Sequence, residues 1–351
     1  MTAPVLVTGG AGFIGCNLAD ALASEGHEVV VFDALARPGV ERNLAWLTSR
    51  NPGRISSVVG DVRDEQALAE VAAEAKAVFH MAAQVAVTTS LADPLDDFSV
   101  NLRGTLNLLE ALRRSGRRPP IVFASTNKVY GDLADIELEV VDEAYRPSDG
   151  AIRMAGVSEA RPLDFHTPYG CSKGAADQYV LDYARSFGLP SCVLRMSCIY
   201  GPRQMGTEDQ GWVAHFLIRA LEGQPISIYG DGRQVRDILD VGDAVSAYLS
   251  AWRRIAAVSG RAFNLGGGPA NAVSLRQLIA YIEELIERKV ELSFSDWRAG
   301  DQRYYVSDAR AARRALDLPE PMAWRPGVAR LANWLKAERG PAAQSRPEAV
   351  G

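Results

Sequence analysis

The segment Thr8-Gly9-Gly10-Ala11-Gly12-Phe13-Ile14-Gly15 constrains the fold of this chain more than any other. It follows an apolar run, Val5-Leu6-Val7, and opens an amphipathic stretch, Ile14 to Ser24, with glycines at every third position: 9, 12 and 15. A strand that turns straight into a helix through such glycines lets the backbone approach a pyrophosphate closely. The helix start then presents free N–H groups and its positive dipole end to the phosphates. A second apolar run, Val29 to Phe32, ends in an acid, Asp33. A carboxylate there accepts hydrogen bonds from ribose hydroxyls and repels a 2′-phosphate, so NAD is expected over NADP, with Arg37 acting against that preference. Gly9, Gly12, Phe13, Ile14, Gly15 and Asp33 are therefore the expected contacts of a dinucleotide.

The same alternation continues along the chain. Short β-branched or aromatic runs recur at Ile55–Val59, Ala77–Phe79, Ile121–Phe123 and Cys192–Leu194. Helical patterns lie between the runs at Ile14–Ser24, Asp64–Ala75, Phe98–Arg114 and Pro168–Phe187. Strand and helix repeated in this way predict an α/β fold, a doubly wound parallel Rossmann sheet with right-handed crossovers. Past residue 200 the regularity loosens. Helices are expected at Gly211–Leu221, Val241–Arg254, Ser274–Glu287 and Val328–Ala337, and strands at Ile226–Ile228, Ala262–Leu265 and Val290–Phe294. The expected organisation is an NAD-binding Rossmann domain over 1–200, carrying an insert at 132–168 near the active site. A smaller C-terminal α/β substrate-binding region over 201–338 interleaves with it, and a Pro-, Ala- and Gly-rich flexible tail covers 339–351.

Composition narrows the class. With 351 residues, 47% of them hydrophobic, the chain can bury a large core without disulfides or metal staples. A net charge of −5 supplies no overall basic field for nucleic acid or anionic lipid. No apolar run approaches the length of a membrane span, and the N-terminus enters its first strand without the charged and apolar regions of a signal peptide. The four cysteines, Cys16, Cys171, Cys192 and Cys198, show no metal-site spacing. Reduced thiols, no metal and a cytoplasmic location are the plain expectation.

Tyr169-Gly170-Cys171-Ser172-Lys173 is a Y-x-x-x-K segment opening a long helix, and this spacing puts both side chains on one helical face. A lysine ammonium beside a phenol favours the phenolate, which makes Tyr169 a candidate base. Ala124-Ser125-Thr126-Asn127-Lys128-Val129-Tyr130-Gly131 ends the fifth strand, where parallel sheets bind ligands, and the Thr126 hydroxyl can bridge Tyr169 and a substrate hydroxyl. After the fourth strand, the small residues of His80-Met81-Ala82-Ala83-Gln84 let the backbone lie against the cofactor, with His80 itself structural. Asp61-Val62, after the third strand, is placed to reach the adenine, or Asp61 is a helix N-cap.

These motifs together resemble the extended short-chain dehydrogenase/reductase family of nucleotide-sugar epimerases and dehydratases. Asn101 to Glu110 resembles its fourth-helix signature and Arg195 to Gln204 the signature after its next strand. The similarity runs over roughly residues 4 to 335. It implies that Thr126, Tyr169 and Lys173 are the catalytic triad, and that Ser197 and Cys198 contact nicotinamide or sugar. It implies further that Tyr229 in Tyr229-Gly230-Asp231-Gly232 is a platform for the nucleotide base. Arg236 and Arg298 become diphosphate-binding arginines, with Asp301 an acid near the nucleotide ribose. The family's dehydratases carry acids directly after the triad hydroxyl. Here Asn127 and Lys128 stand in those places, which argues against dehydration and leaves Asn127 a substrate contact.

A narrower resemblance is to the CDP-paratose 2-epimerase branch, also called CDP-tyvelose 2-epimerases. It rests on Gln84 to Ser90, Ser125 to Asp132, Leu163 to Tyr179, Asp209 to Trp212 and Gly232 to Asp237. It implies transient oxidation at C2, rotation of the 2-keto sugar and reduction on the opposite face, with NAD retained throughout. Inversion at C4, or another redox or dehydration reaction of the family, is the alternative. The insert at 132–168 is expected to cover the substrate, with His166 either a sugar contact or a loop histidine bonded to backbone. By the same resemblance a homodimer is expected through the helices Phe98–Arg114 and Pro168–Phe187.

Overall fold

The computed structural model describes residues 3–339. Its strands, in chain order, are β1 Val5–Thr8, β2 Val29–Asp33, β3 Ile55–Val59, β4 Ala77–His80, β5 Ile121–Thr126, β6 Leu138–Val141, β7 Ala144–Pro147, β8 Ser191–Met196, β9 Cys198–Tyr200, β10 Ile226–Tyr229, β11 Val235–Asp240, β12 Arg261–Leu265, β13 Ala272–Ser274, β14 Leu292–Ser295 and β15 Tyr304–Tyr305. The central sheet runs β12-β8-β5-β4-β1-β2-β3, with every neighbouring pair parallel. The chain order reverses between β1 and β4, and the cleft at such a switch point is where open α/β sheets bind ligands.

Helices cover both faces of the sheet. Val5, Val7, Val29 and Val31 point into one apolar layer with Leu18, Leu22, Leu47 and Tyr248, on the helices Phe13–Ser24, Val40–Arg50 and Val241–Arg253. Leu6, Val78, Ile121 and Phe123 point into the other, against Leu68, Leu108, Leu112 and Val180 on the helices Glu65–Ala73, Gly104–Arg114 and Thr167–Phe187. A strand buried on both faces has no polar side, which is why these segments read as unbroken apolar runs. Residues 241–265 lie beyond the expected boundary at residue 200, yet they supply a covering helix and the seventh strand of this sheet. The C-terminal region has its own core, in which Phe216, Leu217, Ile226, Ile238, Leu278 and Leu331 meet. Its last helix is Trp324–Arg339, longer than Val328–Ala337. The remainder of the expected tail lies outside the described residues.

Two local structures depart from the sequence reading. The expected helix Phe98–Arg114 is interrupted by a π-helical turn, Ser99–Arg103. The extra residue turns Asn101 inward, where its amide donates to Asp97 Oδ1 at 3.0 Å, Ser172 Oγ at 3.1 Å and Gln84 O at 3.1 Å. The insert 132–168 forms an antiparallel hairpin, β6-β7, and a short helix, Gly150–Ala155. It packs on the C-terminal region: Tyr145 N donates to Arg233 O, Tyr145 Oη to Asp231, and Ser274 Oγ to Glu143 O. None of the insert's residues lines the cleft.

Between the helix Thr167–Phe187 and the sheet, Asp177 is fully buried and accepts two hydrogen bonds from Arg195, at 2.9 and 3.0 Å, and one from Ser125 Oγ at 2.7 Å. Removing one partner strands a buried charge, which costs about 3–5 kcal/mol. Asp177→Ala is therefore expected to lower the free energy of unfolding, measured by urea denaturation at equal cofactor saturation, by about 3–5 kcal/mol. A loss below about 1 kcal/mol would show that the pair is not a fixed element of the fold.

Candidate active site

A cleft of about 900 Å³ opens along the carboxyl ends of β1, β2, β4, β5 and β8 and continues between the sheet and the C-terminal region. At its near end the helix Phe13–Ser24 starts at Gly12 with no side-chain cap and no acid in its first turn. Its first N–H groups are thus left for an anionic ligand. Gly9 has φ +66, and a Cβ there would lie 2.6 Å from Ala82 N, so only glycine lets β1 and β4 close at this turn. A Cβ on Gly12 would meet only Gly9 O, at 3.1 Å, and otherwise fill the cradle facing the cleft.

Phe13, Ile14, Gly15, Asp33, Asp61, Val62, Met81, Ala82, Ala83, Gln84 and Ser197 line the cleft together with Gly9 and Gly12. Asp33 is oriented by Ala11 N and Leu35 N, at 2.9 and 2.8 Å. Asp61 follows the end of β3 and is held well below the usual carboxylate range by its hydrogen bonds with Arg63. The N-cap of the next helix is Asp64, not Asp61. These residues fit NAD: an uncapped helix start for the pyrophosphate, an acid for the ribose and a small-residue wall.

Thr126, Tyr169 and Lys173 meet in the middle of the cleft wall. The Thr126 hydroxyl stands near the Tyr169 phenol and favours its ionised form, and Lys173 Nζ sits 4.2 Å from the centroid of the Phe123 ring. Burial pushes the Tyr169 phenol up to about 12, opposed by the Thr126 hydroxyl, and pulls the Lys173 ammonium down to about 7, opposed by Asp177 and Asp97. Positive charge brought into the cleft beside them reverses the first shift. Ser172, between the two, donates to buried Asp97 Oδ2, tying the start of this helix to the π-helical turn. His80 lies behind this wall, bonded to Thr8 and Thr105 and forced down to about 3 by burial, so it is a neutral structural residue.

Asn127, Cys198, Tyr229, Arg236, Arg298 and Asp301 also line the cleft. Asn127 is fixed by Gln302, at 3.1 Å, and Cys198 Sγ accepts from Trp212 Nε1 at 3.3 Å. Arg236 is buried and donates to Asp301 Oδ1 at 2.7 Å. Arg298 packs over the Tyr229 ring, 3.7 Å from its centroid, while both reach Glu208. His166 is not part of the lining. It stands outside with its ring nitrogens 3.5 Å from Asp132 and 3.1 Å from Asp164, because the insert leads away from the cleft. Lining residues beyond those expected include Thr88, whose hydroxyl is buried without a hydrogen-bond partner, and Lys128, Glu208 and Gln234. Lys128 is adjacent to the Thr126 motif, and that adjacency is the signal that could have marked it.

With this geometry in view, the comparisons with known proteins are specific. Residues 5–266 match the NAD dependent epimerase/dehydratase family. This chain belongs to that family. It is 41% identical to the CDP-paratose 2-epimerase of Salmonella typhi over 340 residues, covering 95% of this chain and 99% of the relative. The crystal structure of the UDP-glucose 4-epimerase of Thermotoga maritima with UDP-glucose superimposes with a TM-score of 0.82 at 30% identity, covering 96% of this chain and all of that one. DesIV, the dTDP-glucose 4,6-dehydratase of Streptomyces venezuelae with NAD bound, superimposes with a TM-score of 0.82 at 27% identity, covering 96% of this chain and 98% of that one. The protein is thus an NAD-dependent enzyme of the Rossmann class.

If Tyr169 is the proton-transfer group, Tyr169→Phe is expected to retain bound NAD while turnover drops by about 10²–10⁴-fold. Turnover within about threefold of the natural protein would remove Tyr169 from that role.

Proposed function

We propose that this enzyme inverts C2 of a nucleoside-diphosphate sugar, CDP-paratose or a close analogue, in a cytoplasmic reaction with no net redox. The observation that carries this reading is the 41% identity to a CDP-paratose 2-epimerase over nearly the full length of both chains. It is supported by Asn127 and Lys128 in the cleft wall, where neither supplies the carboxylic acid that a dehydration would need to protonate a leaving hydroxyl.

Bound NAD supplies the hydride acceptor for C2 and then the hydride donor to the same carbon. Tyr169 takes the proton of the C2 hydroxyl as the carbonyl forms and returns it at the end. Thr126, beside Tyr169, holds the reacting oxygen in reach of that phenol. The Lys173 ammonium favours the phenolate, so loss of its proton weakens the base. Arg236, oriented by Asp301, anchors the diphosphate while the 2-keto sugar turns to present its other face. The Tyr229 ring, with Arg298 over it, forms the wall for the pyrimidine base, and this aromatic wall accepts cytosine, uracil or thymine. Four unbridged cysteines fit a reducing compartment.

Proton NMR in D2O, with protein as purified and no added cofactor, tests the reaction. CDP-paratose is expected to give the C2-inverted sugar with no deuterium at C2. Inversion of UDP-glucose at C4, with CDP-paratose untouched, would overturn the C2 assignment and favour the Thermotoga-like reaction. Deuterium at C3 or C5 would point to enolisation or dehydration.

We further propose a homodimer through the helices around 94–114 and 167–187, where Leu95, Phe98, Tyr179 and Phe187 are exposed. Light scattering after size exclusion is expected to give twice the chain mass at micromolar concentration. A monomer there would overturn it.

A further inference from the structure

Lys128 sits on the 3-10 turn Asn127–Tyr130 that closes β5, and its backbone N–H donates to Thr126 Oγ1 at 3.2 Å. Its position relative to the reacting hydroxyl is therefore fixed by the backbone. The side chain is mostly buried in the cleft wall, where Nζ donates to Gly300 O at 3.0 Å and lies 4.0 Å from Asp301 Oδ1. That same oxygen accepts from Arg236 Nη2 at 2.7 Å. One carboxylate oxygen thus gathers an ammonium from β5 and a guanidinium from β11 at one point of the cleft. Two cations share this one carboxylate oxygen, and the acids that act on the ammonium are Asp301 and, farther off, Asp132. Burial lowers the Lys128 ammonium to about 8; Arg236 adds to that shift and Asp301 opposes it. An anionic ligand would relieve both cations, and a planar guanidinium beside a compact ammonium suits the several oxygens of a phosphate group.

We propose that Lys128 binds the sugar-side phosphate of the nucleoside diphosphate, paired with Arg236 across Asp301. The consequence for the reaction rests on the C2 reading above. The phosphate is carried by the anomeric carbon, C2 is the neighbouring ring carbon, and C4 lies across the ring. A phosphate site built on the turn that also positions Thr126 brings the diphosphate end of the sugar to the catalytic pair. C2 then meets Tyr169 more readily than C4. Lys128 is in this sense a specificity-determining residue: it selects which carbon is presented.

The test is calorimetric titration of the NAD-loaded enzyme with CDP and with CMP, alongside UDP and UMP. CMP lacks the phosphate that Lys128 would hold. The natural protein is expected to bind the diphosphate about tenfold or more tighter than the monophosphate. Lys128→Met is expected to remove that preference while leaving CMP affinity within about twofold, and Lys128→Arg to restore most of it. Lys128→Gln gives the same contrast as Lys128→Met should the apolar side chain fold poorly. Undiminished preference for the diphosphate in both neutral variants would overturn the proposal, as would its absence in the natural protein. Because none of these ligands carries a sugar, the result does not depend on which sugar carbon reacts, and failure here is separable from failure of the C2 reading.

Discussion

The attachment of one helix to the sheet governs the chemistry of this enzyme. The helix Thr167–Phe187 carries Tyr169 and Lys173, and it must hold both at the end of β5 where Thr126 stands. Asp177 does this from below, pinned by Arg195 on β8 and Ser125 on β5. Ser172 does it from the side, through Asp97 and Asn101. Buried charged and polar groups of this kind stabilise only when every member is satisfied, so the network tolerates one arrangement and rejects slippage of the helix along its axis. The distances among Thr126, Tyr169 and Lys173 are inherited from it.

Burial around the catalytic residues has an electrostatic consequence. It opposes charge on the Tyr169 phenol and on the Lys173 ammonium alike, and His80 close by is neutral. In the proposed role of base, Tyr169 is latent in the protein alone and becomes effective when a cation joins it in the cleft. In the proposed mechanism this couples proton transfer to the presence of oxidised cofactor. On the turn that follows Thr126 the arrangement differs, with Lys128 and Arg236 sharing Asp301.

Much of this was legible in the sequence, for physical reasons. Five strands of the central sheet, β1, β2, β4, β5 and β8, are buried and stand out as apolar runs, while β3 is mostly exposed, and the turn at Gly9 to Gly15 admits few alternatives to glycine. Arg261–Leu265 reads as a strand, but its place beside β8 depends on pairing with residues far away in sequence, which no local pattern encodes. The π-helical turn at Ser99–Arg103 is set by the side-chain bonds of Asn101, not by helix propensity. The course of the insert is decided by Tyr145 and Glu143 meeting distant partners, Asp231 and Ser274, and His166 was carried out of the cleft with it. The resemblance located Tyr229, Arg236 and Arg298 in the cleft, while the stacking of Arg298 on Tyr229 emerged only in three dimensions.

The most direct measurement follows the hydrogen on the reacting carbon. CDP-paratose carrying deuterium at C2 is converted by the purified enzyme in ordinary water, and the product is examined by mass spectrometry and NMR. Full retention of the label at C2 of the inverted sugar, with a primary isotope effect on turnover, is the expected result, since hydride leaves and returns within one closed cleft. Loss of the label to solvent, or inversion at C4 with the C2 label undisturbed in its original configuration, would contradict it.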